Sequence, residues 1–322
     1  MRILVTGGAG FIGGNLVHYL LALGGQVMVV DDMSTGSVAN LDPRAEFRRL
    51  DIRDAALVEA AEQFAPDTIV HLAAQSSIGV AEKDPDLTVA VNVDGTLRVT
   101  EAAKACKVER VVFASSAAVY GAAERLPSRE TDLTDPQNIY GQTKRDGELL
   151  IRDQLEGSGV DWALLRFSNV YGPRQNAHGE GGVVALFCDA LAHGRVPTVY
   201  GDGQQTRDFI YVADVVQALA WCIGGEIDFG TYGQPATAAT SDDRGIYNIS
   251  TGEPTSIEQL INYLRVPTAF GQAVKHEPAR PGDIEHSVLD PTKAFETFEW
   301  KAGIELTKGL DATWLWFSRP KH

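Results

Sequence analysis

The chain opens on a short continuous apolar run, Ile3-Leu4-Val5, which stops at Gly7-Gly8-Ala9-Gly10-Phe11-Ile12-Gly13-Gly14. Past the glycines the period changes. Ile12, Leu16, Val17, Leu20, Leu21 and Leu23 recur at helical spacing until Gly24-Gly25. This pattern predicts strand, glycine turn, helix and glycine stop. A second apolar run, Val27-Met28-Val29-Val30, ends on Asp31-Asp32. Further strand-like runs stand at 68–72, 110–115 and 161–166, with helical periodicity over 87–106 and 138–155 between them. Strands apolar on both faces, alternating with helices, build a parallel sheet covered on each side. The expected class is α/β, doubly wound.

After Gly172-Pro173 the pattern turns irregular and proline-rich, which predicts a smaller C-terminal α/β domain for substrate. Phe209-Ile210-Tyr211-Val212 and the helical stretch 213–222 look like a return to the first domain. The expected division is 1–168, with a return at about 205–250, against 169–204 and 251–322. Gly224 to Gly245 is polar and rich in Gly, Ala and Thr, and reads as a long surface loop.

The first forty residues carry a binding function. Glycines permit the tight turn and let backbone N–H groups and a helix N-terminus approach a pyrophosphate without Cβ interference. Asp31, at the end of the second strand, stands where a carboxylate accepts hydrogen bonds from an adenosine ribose. The sheet is therefore expected to be Rossmann-type. A 2′-phosphate would be repelled by Asp31 and Asp32, and no arginine stands in the turn to receive it. NAD is favoured over NADP.

Tyr140-Gly141-Gln142-Thr143-Lys144 adds chemistry. A tyrosine and a lysine four apart on a helix share one face. An ammonium beside a phenol favours the phenolate, which predicts a lowered Tyr140 pKa. Ser116, 24 residues before Tyr140, supplies a hydroxyl that can relay the proton. Together these groups suit removal of a proton from a secondary alcohol while its hydride leaves for a nicotinamide.

With 322 residues and 44% hydrophobic content, the chain is long enough for a substantial core. Its net charge of −15 argues against nucleic acid or an anionic membrane as partner. Individual arginines then gain interest as local sites for anionic ligands. Cys106, Cys188 and Cys222 are scattered, without metal or redox spacing, which suits a reducing cytoplasm and no metal site. The first strand begins at once and no apolar run approaches transmembrane length, so neither a signal peptide nor a membrane span is expected.

These pieces together resemble the extended short-chain dehydrogenase/reductase family, and within it the nucleotide-sugar epimerases. Gly7, Gly10 and Gly13 match the family's cofactor turn, Asp51-Ile52 the pair that contacts adenine, and His71-Leu72-Ala73-Ala74-Gln75 the strand end lying along the cofactor. Asn92 matches a helix residue supporting the site. Ser115-Ser116-Ala117-Ala118-Val119-Tyr120-Gly121 is similar to the catalytic serine segment of UDP-hexose 4-epimerases. The segments Arg166 to Arg174, Tyr200-Gly201-Asp202-Gly203, Arg207-Asp208-Phe209 and Arg280-Pro281-Gly282-Asp283 resemble those holding the sugar's nucleoside diphosphate.

The resemblance implies NAD contacts at Gly7, Gly10, Phe11, Ile12, Gly13, Asp31, Asp32, Asp51, Ile52, Leu72, Ala73, Ala74, Gln75, Asn92, Tyr140 and Lys144. It implies substrate contacts at Ser116, Tyr140, Asn169, Val183, Tyr200, Arg207, Arg280, Asp283 and Ser287. It also implies a homodimer formed through the helices around 87–106 and 138–156.

The implied reaction is reversible oxidation at C4 of a UDP-hexose through a 4-keto sugar, with Ser116, Tyr140 and Lys144 catalytic. Related dehydratases carry an Asp-Glu pair where this chain has Ala117-Ala118, and decarboxylases commonly a glutamate at the second position. Ser287 stands where epimerases of smaller sugars often carry tyrosine, which leaves both the glucose/galactose and the N-acetyl pairs open. Members acting on UDP-glucuronic acid resemble Thr-Val-Tyr-Gly-Pro-Arg-Gln-Arg over 169–176; this chain has Asn169 and Asn176 instead. UDP-glucuronic acid, a dTDP-hexose, a net dehydrogenase or reductase, and a non-catalytic NAD-binding protein remain alternatives. Two departures from the family pattern stand out: a long 224–245 segment and a compressed one from Leu264 to Gly271.

Overall fold

The computed structural model describes residues 1–177, 182–224, 245–279 and 283–319. β1 (Arg2–Thr6), α1 (Phe11–Ala22) and β2 (Gln26–Asp31) form where the apolar pattern changes period. Then come β3 (Glu46–Arg49), α2 (Ala56–Phe64) and β4 (Thr68–His71). Two short helices, α3 (Ile78–Lys83) and α4 (Pro85–Val89), lead through a π-wound turn, Ala90–Asp94, into α5 (Gly95–Cys106). β5 (Arg110–Ser116), α6 (Ile139–Leu155) and β6 (Asp161–Phe167) complete the alternation.

A second set follows: β7 (Asn169–Tyr171), α7 (Val183–Ala192), β8 (Thr198–Tyr200), β9 (Thr206–Tyr211), α8 (Val212–Ile223) and β10 (Ile246–Ile249). Last are β11 (Pro254–Ser256), α9 (Ile257–Thr268), β12 (Lys275–Glu277), β13 (His286–Ser287), α10 (Thr292–Phe298) and α11 (Leu306–Phe317).

Seven strands make one parallel sheet in the order β10-β6-β5-β4-β1-β2-β3. The α/β Rossmann-type expectation holds. Alternation along β1 explains the two-sided core. Ile3 and Val5 face Leu16, Val17 and Leu20 of α1 and Val215 and Leu219 of α8. Leu4 faces the other way, toward Leu57 of α2, Val99 of α5 and Ile151 and Leu155 of α6. Burying such side chains stabilises by about 1.5–3 kcal/mol each. Strand order reverses between β1 and β4, and that reversal opens a crevice at their carboxyl ends.

The second lobe is built on β9, which pairs with β7, β11 and β13. Its core gathers Tyr171, Phe187, Phe209, Leu260, Leu310 and Phe317. The strand 206–211, expected to belong with the first domain, therefore lies in the small sheet. The chain returns to the large sheet only at α8, whose Val215 and Leu219 join that core, and at β10, which pairs with β6.

The single helix expected over 87–106 is interrupted by the π turn at Ala90–Asp94, which turns Asn92 inward. β3 escaped prediction because Glu46-Phe47-Arg48-Arg49 is an exposed edge strand with charged residues, a common guard against edge pairing. α2 and the four-residue β10 were likewise not predicted. The segment that looked compressed is the end of α9, with Pro267 in its last turn and Ala269 left-handed beyond it. Residues 225–244, expected as surface loop, lie outside the described residues.

Gly309 of α11 shows how tightly the small lobe is assembled. A Cβ there would sit 2.1 Å from the hydroxyl of the fully buried Tyr171, which donates to Leu306 O. Gly309→Ala is expected to cost about 1–3 kcal/mol through overpacking, read as a lowered midpoint in denaturant unfolding.

Candidate active site

The crevice at the carboxyl ends of β1 and β4 is lined first by the glycine turn. Gly7 has φ +73°, and a Cβ on it would lie 2.6 Å from Ala73 N, so the two strand ends approach only because no side chain intervenes. A Cβ on Gly13 would lie 2.1 Å from Gly7 O, which seats α1 directly on the turn. Gly10 caps α1 without a side-chain hydrogen bond. The N–H groups of Phe11, Ile12 and Gly13 then lack intrahelical acceptors and present the positive end of the helix dipole.

Asp31 closes the other side. One carboxylate oxygen accepts from Ala9 N at 3.0 Å and the other from Met33 N at 2.9 Å. Burial raises its pKa, and these two N–H groups oppose the rise. Asp32 accepts from Ser34 N and its hydroxyl. An uncapped helix N-terminus facing a ribose-type carboxylate is the donor set a dinucleotide needs, so these residues fit NAD.

Farther along the crevice, Asp51 is held by Arg53 at 2.5 Å, whose side-chain bond lowers the Asp51 pKa. Ile52 turns into the core against Gly95. Leu72, Ala73, Ala74 and Gln75 run out from β4, anchored by Leu72 N to Thr6 O and Ala73 N to Thr6 Oγ1. Asn92 accepts from Gln75 N and donates to Gln75 O and to Thr143 Oγ1, all at 2.8–2.9 Å. Its amide is thus used inside the protein, and Asn92 acts as a tie between the strand end and α6. The resemblance implied a cofactor contact at Asn92, and the structure adds this tie.

His71 lies beneath. Thr96 donates to Asn92 O, so His71 Nε2 donates to Thr96 Oγ1 at 3.0 Å while Nδ1 accepts from Thr6 at 2.7 Å. Burial, then the Lys144 charge, push its pKa down to about 3, and the ring stays neutral.

Ser116 ends β5, and its hydroxyl accepts from Ala118 N at 3.1 Å. Asn138 caps α6 by accepting from Gly141 N at 2.8 Å. A Cβ on Gly141 would sit 2.6 Å from Ala118 O, and one on Gly147 2.9 Å from the Phe113 ring. These two glycines let α6 lie close on β5 and bring Tyr140 and Lys144 to the Ser116 segment. The Lys144 ammonium donates to Ala114 O at 2.8 Å and stands 5.9 Å from the Tyr140 ring centre.

The lowered Tyr140 pKa expected from Lys144 is not found. Burial raises the phenol, with only a hydrogen bond from Ser116 opposing it. The physical reason is placement: the ammonium is directed to a carbonyl, and burial brings the Lys144 pKa itself down to about 8, against the pull of Glu148.

Glu148 was missed in the sequence, although it lies one helical turn beyond Lys144. It receives Arg166 in a fork, Nε to Oε1 at 2.9 Å and Nη2 to Oε2 at 2.6 Å, and also the Ser115 hydroxyl. Arg166 continues to Tyr120 Oη at 2.9 Å, and Tyr120 donates to Asn248 Oδ1 at 2.7 Å. The signal was the spacing Tyr140-Lys144-Glu148, four and four on one face.

Ser116 and Tyr140 apart, the expected substrate residues that are described lie on the small lobe. Ser287 of β13 pairs in register with Arg207 of β9, and Arg207 donates to Asp283 at 2.7 Å. Tyr200 ends β8, Asn169 opens β7, and Val183 begins α7 against the small-lobe core. Arg280 lies outside the described residues.

The profile of the NAD-dependent epimerase/dehydratase family matches residues 3–227. The chain belongs to this family. The cofactor of this family member is accordingly NAD. Among its relatives, the UDP-glucose 4-epimerase of Mycolicibacterium smegmatis is 38% identical over 97% of each chain. The Thermotoga maritima UDP-glucose 4-epimerase, solved with UDP-glucose, superposes with a TM-score of 0.90 at 34% identity, covering 98% of both chains. A UDP-N-acetylglucosamine 4-epimerase from Methanobrevibacter ruminantium, solved with UDP-N-acetylmuramic acid, gives 0.88 at 30% identity, covering 98% of this chain and 97% of the other.

The buried Glu148–Arg166 pair can be tested apart from function. Glu148→Leu alone is expected to lower unfolding free energy by about 3–5 kcal/mol, whereas adding Arg166→Met should recover most of the loss. Denaturant unfolding of both variants checks this.

Proposed function

We propose that the protein catalyses NAD-dependent 4-epimerisation of a UDP-hexose. The observation that carries this reading is the meeting of Ser116, Tyr140 and Lys144 at the crevice, beside two residues, Ala117 and Ala118, that can neither give nor take a proton. Acid–base work at carbons next to C4 then has no side chain in that segment. The relatives named UDP-glucose and UDP-N-acetylglucosamine 4-epimerase support the same conclusion.

Bound NAD supplies a hydride acceptor at C4 and, in its oxidised ring, a positive charge that favours the Tyr140 phenolate. Tyr140 takes the 4-hydroxyl proton, directly or through Ser116, and returns it after the keto sugar presents its other face. Lys144, held at Ala114 O, keeps an ammonium within reach of the phenol. Arg207 and Arg280 grip the diphosphate, with Asn169 adding an amide donor. Asp283 takes the ribose once the diphosphate competes for Arg207. Tyr200 stacks on the base. Holding the nucleotide end while leaving the sugar free to turn is what epimerisation, rather than net oxidation, requires.

Ser287 lies beside Arg207 across the β13–β9 pairing, close to where the sugar meets the diphosphate grip. Its small side chain supports acceptance of an N-acetyl group as well as a hydroxyl. Leu87 and Val89 of α4 and Leu149 of α6 are exposed apolar residues on adjoining helices, which supports a homodimer through this face. No described helix is long and apolar enough to cross a membrane. Cysteines 106, 188 and 222 are free, which supports a reducing, cytoplasmic compartment.

The reading is tested by proton NMR of purified protein, without added cofactor, against UDP-glucose, UDP-N-acetylglucosamine and UDP-glucuronic acid separately. The matching galacto anomeric signal should appear with no build-up of NADH; NADH accumulation would favour the net-redox alternative. Tyr140→Phe should lose nearly all turnover yet keep bound NAD, and near-wild-type turnover in that variant would sink the catalytic assignment. Ser287→Tyr should impair the N-acetylated pair selectively, whereas equal loss on both sugar classes would refute its role as a gate.

A further inference from the structure

Arg174 is one of few non-glycine residues with a left-handed backbone, at φ +72°. Such a conformation costs about 1–3 kcal/mol and persists where surrounding contacts enforce it. Here the contacts come from both lobes. Nη1 donates to Asn15 Oδ1 at 3.0 Å, and Asn15 stands in the first turn or so of α1. The guanidinium also lies over the ring of Trp316 in α11, 5.4 Å from its centre.

Asn15 completes the joint by donating to Phe11 O at 2.9 Å and to Pro173 O at 3.1 Å. Gly14 lets Asn40 come close: a Cβ there would lie 3.0 Å from Asn40 Cβ. Asn40 in turn donates to Ala9 O and Gly10 O, the glycine turn itself. Arg174 Nε is buried without a hydrogen-bond partner, so the side chain is held here at the expense of one donor. Nothing in this arrangement touches the Ser116–Tyr140–Lys144 set.

We propose that Arg174 is a positioning residue that latches the first turn of α1 to the small lobe and thereby slows the release of NAD. The inference rests on NAD lying at the glycine turn. Its logic is local. The N–H groups that receive a pyrophosphate belong to Phe11, Ile12 and Gly13, and Phe11 O is one of the atoms that Asn15 ties to the 173–174 loop. That loop follows β7 directly, and β7 is seated on α11 through Tyr171 and Gly309. Opening the turn to let the dinucleotide leave therefore requires breaking the charge-assisted Arg174–Asn15 bond and the Asn15–Pro173 bond together, while the Trp316 ring holds the guanidinium in place to make the first of them. An enzyme that returns its hydride to the same substrate gains from such retention, because loss of NADH in mid-cycle strands a keto sugar.

The test is the rate at which protein loaded with labelled NAD exchanges it for unlabelled NAD. Arg174→Ala and Trp316→Leu should each release label about tenfold faster or more, with Arg174→Lys between them and the wild type. Wild-type release in Arg174→Ala and Trp316→Leu would overturn the latch. A lowered melting temperature with wild-type release would also overturn it, making Arg174 a structural residue only. Should Arg174→Ala fail to accumulate folded, Trp316→Leu decides alone, since it reaches the same contact from the far lobe. Wild-type protein that binds no NAD would overturn the cofactor assignment and the latch with it, whereas NAD-loaded Tyr140→Phe with normal release would leave both intact.

Discussion

The Glu148 carboxylate is the point on which the active side of the molecule hangs. It is buried, and so is its partner Arg166, so both charges have left water at a cost of several kcal/mol each. What offsets that cost is saturation: two bonds from the guanidinium fork, one from the Ser115 hydroxyl, and a further chain from Arg166 through Tyr120 to Asn248. One carboxylate thereby fixes the end of β5, the middle of α6, β6 and, through Asn248, β10. Ser116 is the next residue after Ser115, and Lys144 lies one turn before Glu148. Such a network contributes less to net stability than to a single arrangement, because every alternative leaves a buried charge unpaired.

Around that point the protein separates two tasks. The large lobe provides fixed geometry: glycines where backbone must meet backbone, and an uncapped helix N-terminus of the kind that suits a pyrophosphate. In the function proposed above, the small lobe provides grip. Arg207 and Asp283 already face one another, so a diphosphate arriving there competes with an existing ion pair instead of meeting a bare cation. Binding is then expected to be electrostatically moderate and geometrically selective, which suits a nucleotide that must hold while the sugar turns.

The charges at the reacting end are tuned by burial before any ligand contributes. His71 is kept neutral, Lys144 has its pKa brought down to about 8, and the Tyr140 phenol is held above its ordinary value. All three shifts have the same leading cause, desolvation, which penalises whichever form is charged. A site of this kind leaves the phenolate to form when a further positive charge enters it. The protein supplies placement, and an oxidised nicotinamide bound there would supply part of the field.

Much of this was legible along the chain because it depends on local rules. The change of apolar period at Gly7, the carboxylate ending β2, and Tyr140 and Lys144 four apart on one helix face are all consequences of 3.6- and 2-residue repeats that a sequence displays directly. The parallel sheet and the Rossmann-type order follow from repeating those units. What the sequence could not settle depends on groups far apart in the chain. That β9 pairs in the small sheet rests on Phe209 packing against Tyr171, 38 residues earlier. That Asn92 is spent on Gln75 and Thr143 depends on a π turn whose register no propensity encodes. The direction of the Lys144 ammonium was set by a carbonyl on a neighbouring strand, and the sign of the Tyr140 shift by how deeply packing buries the phenol. Periodicity fixes which face a side chain takes; only tertiary packing decides which partner waits there and how much water remains between them.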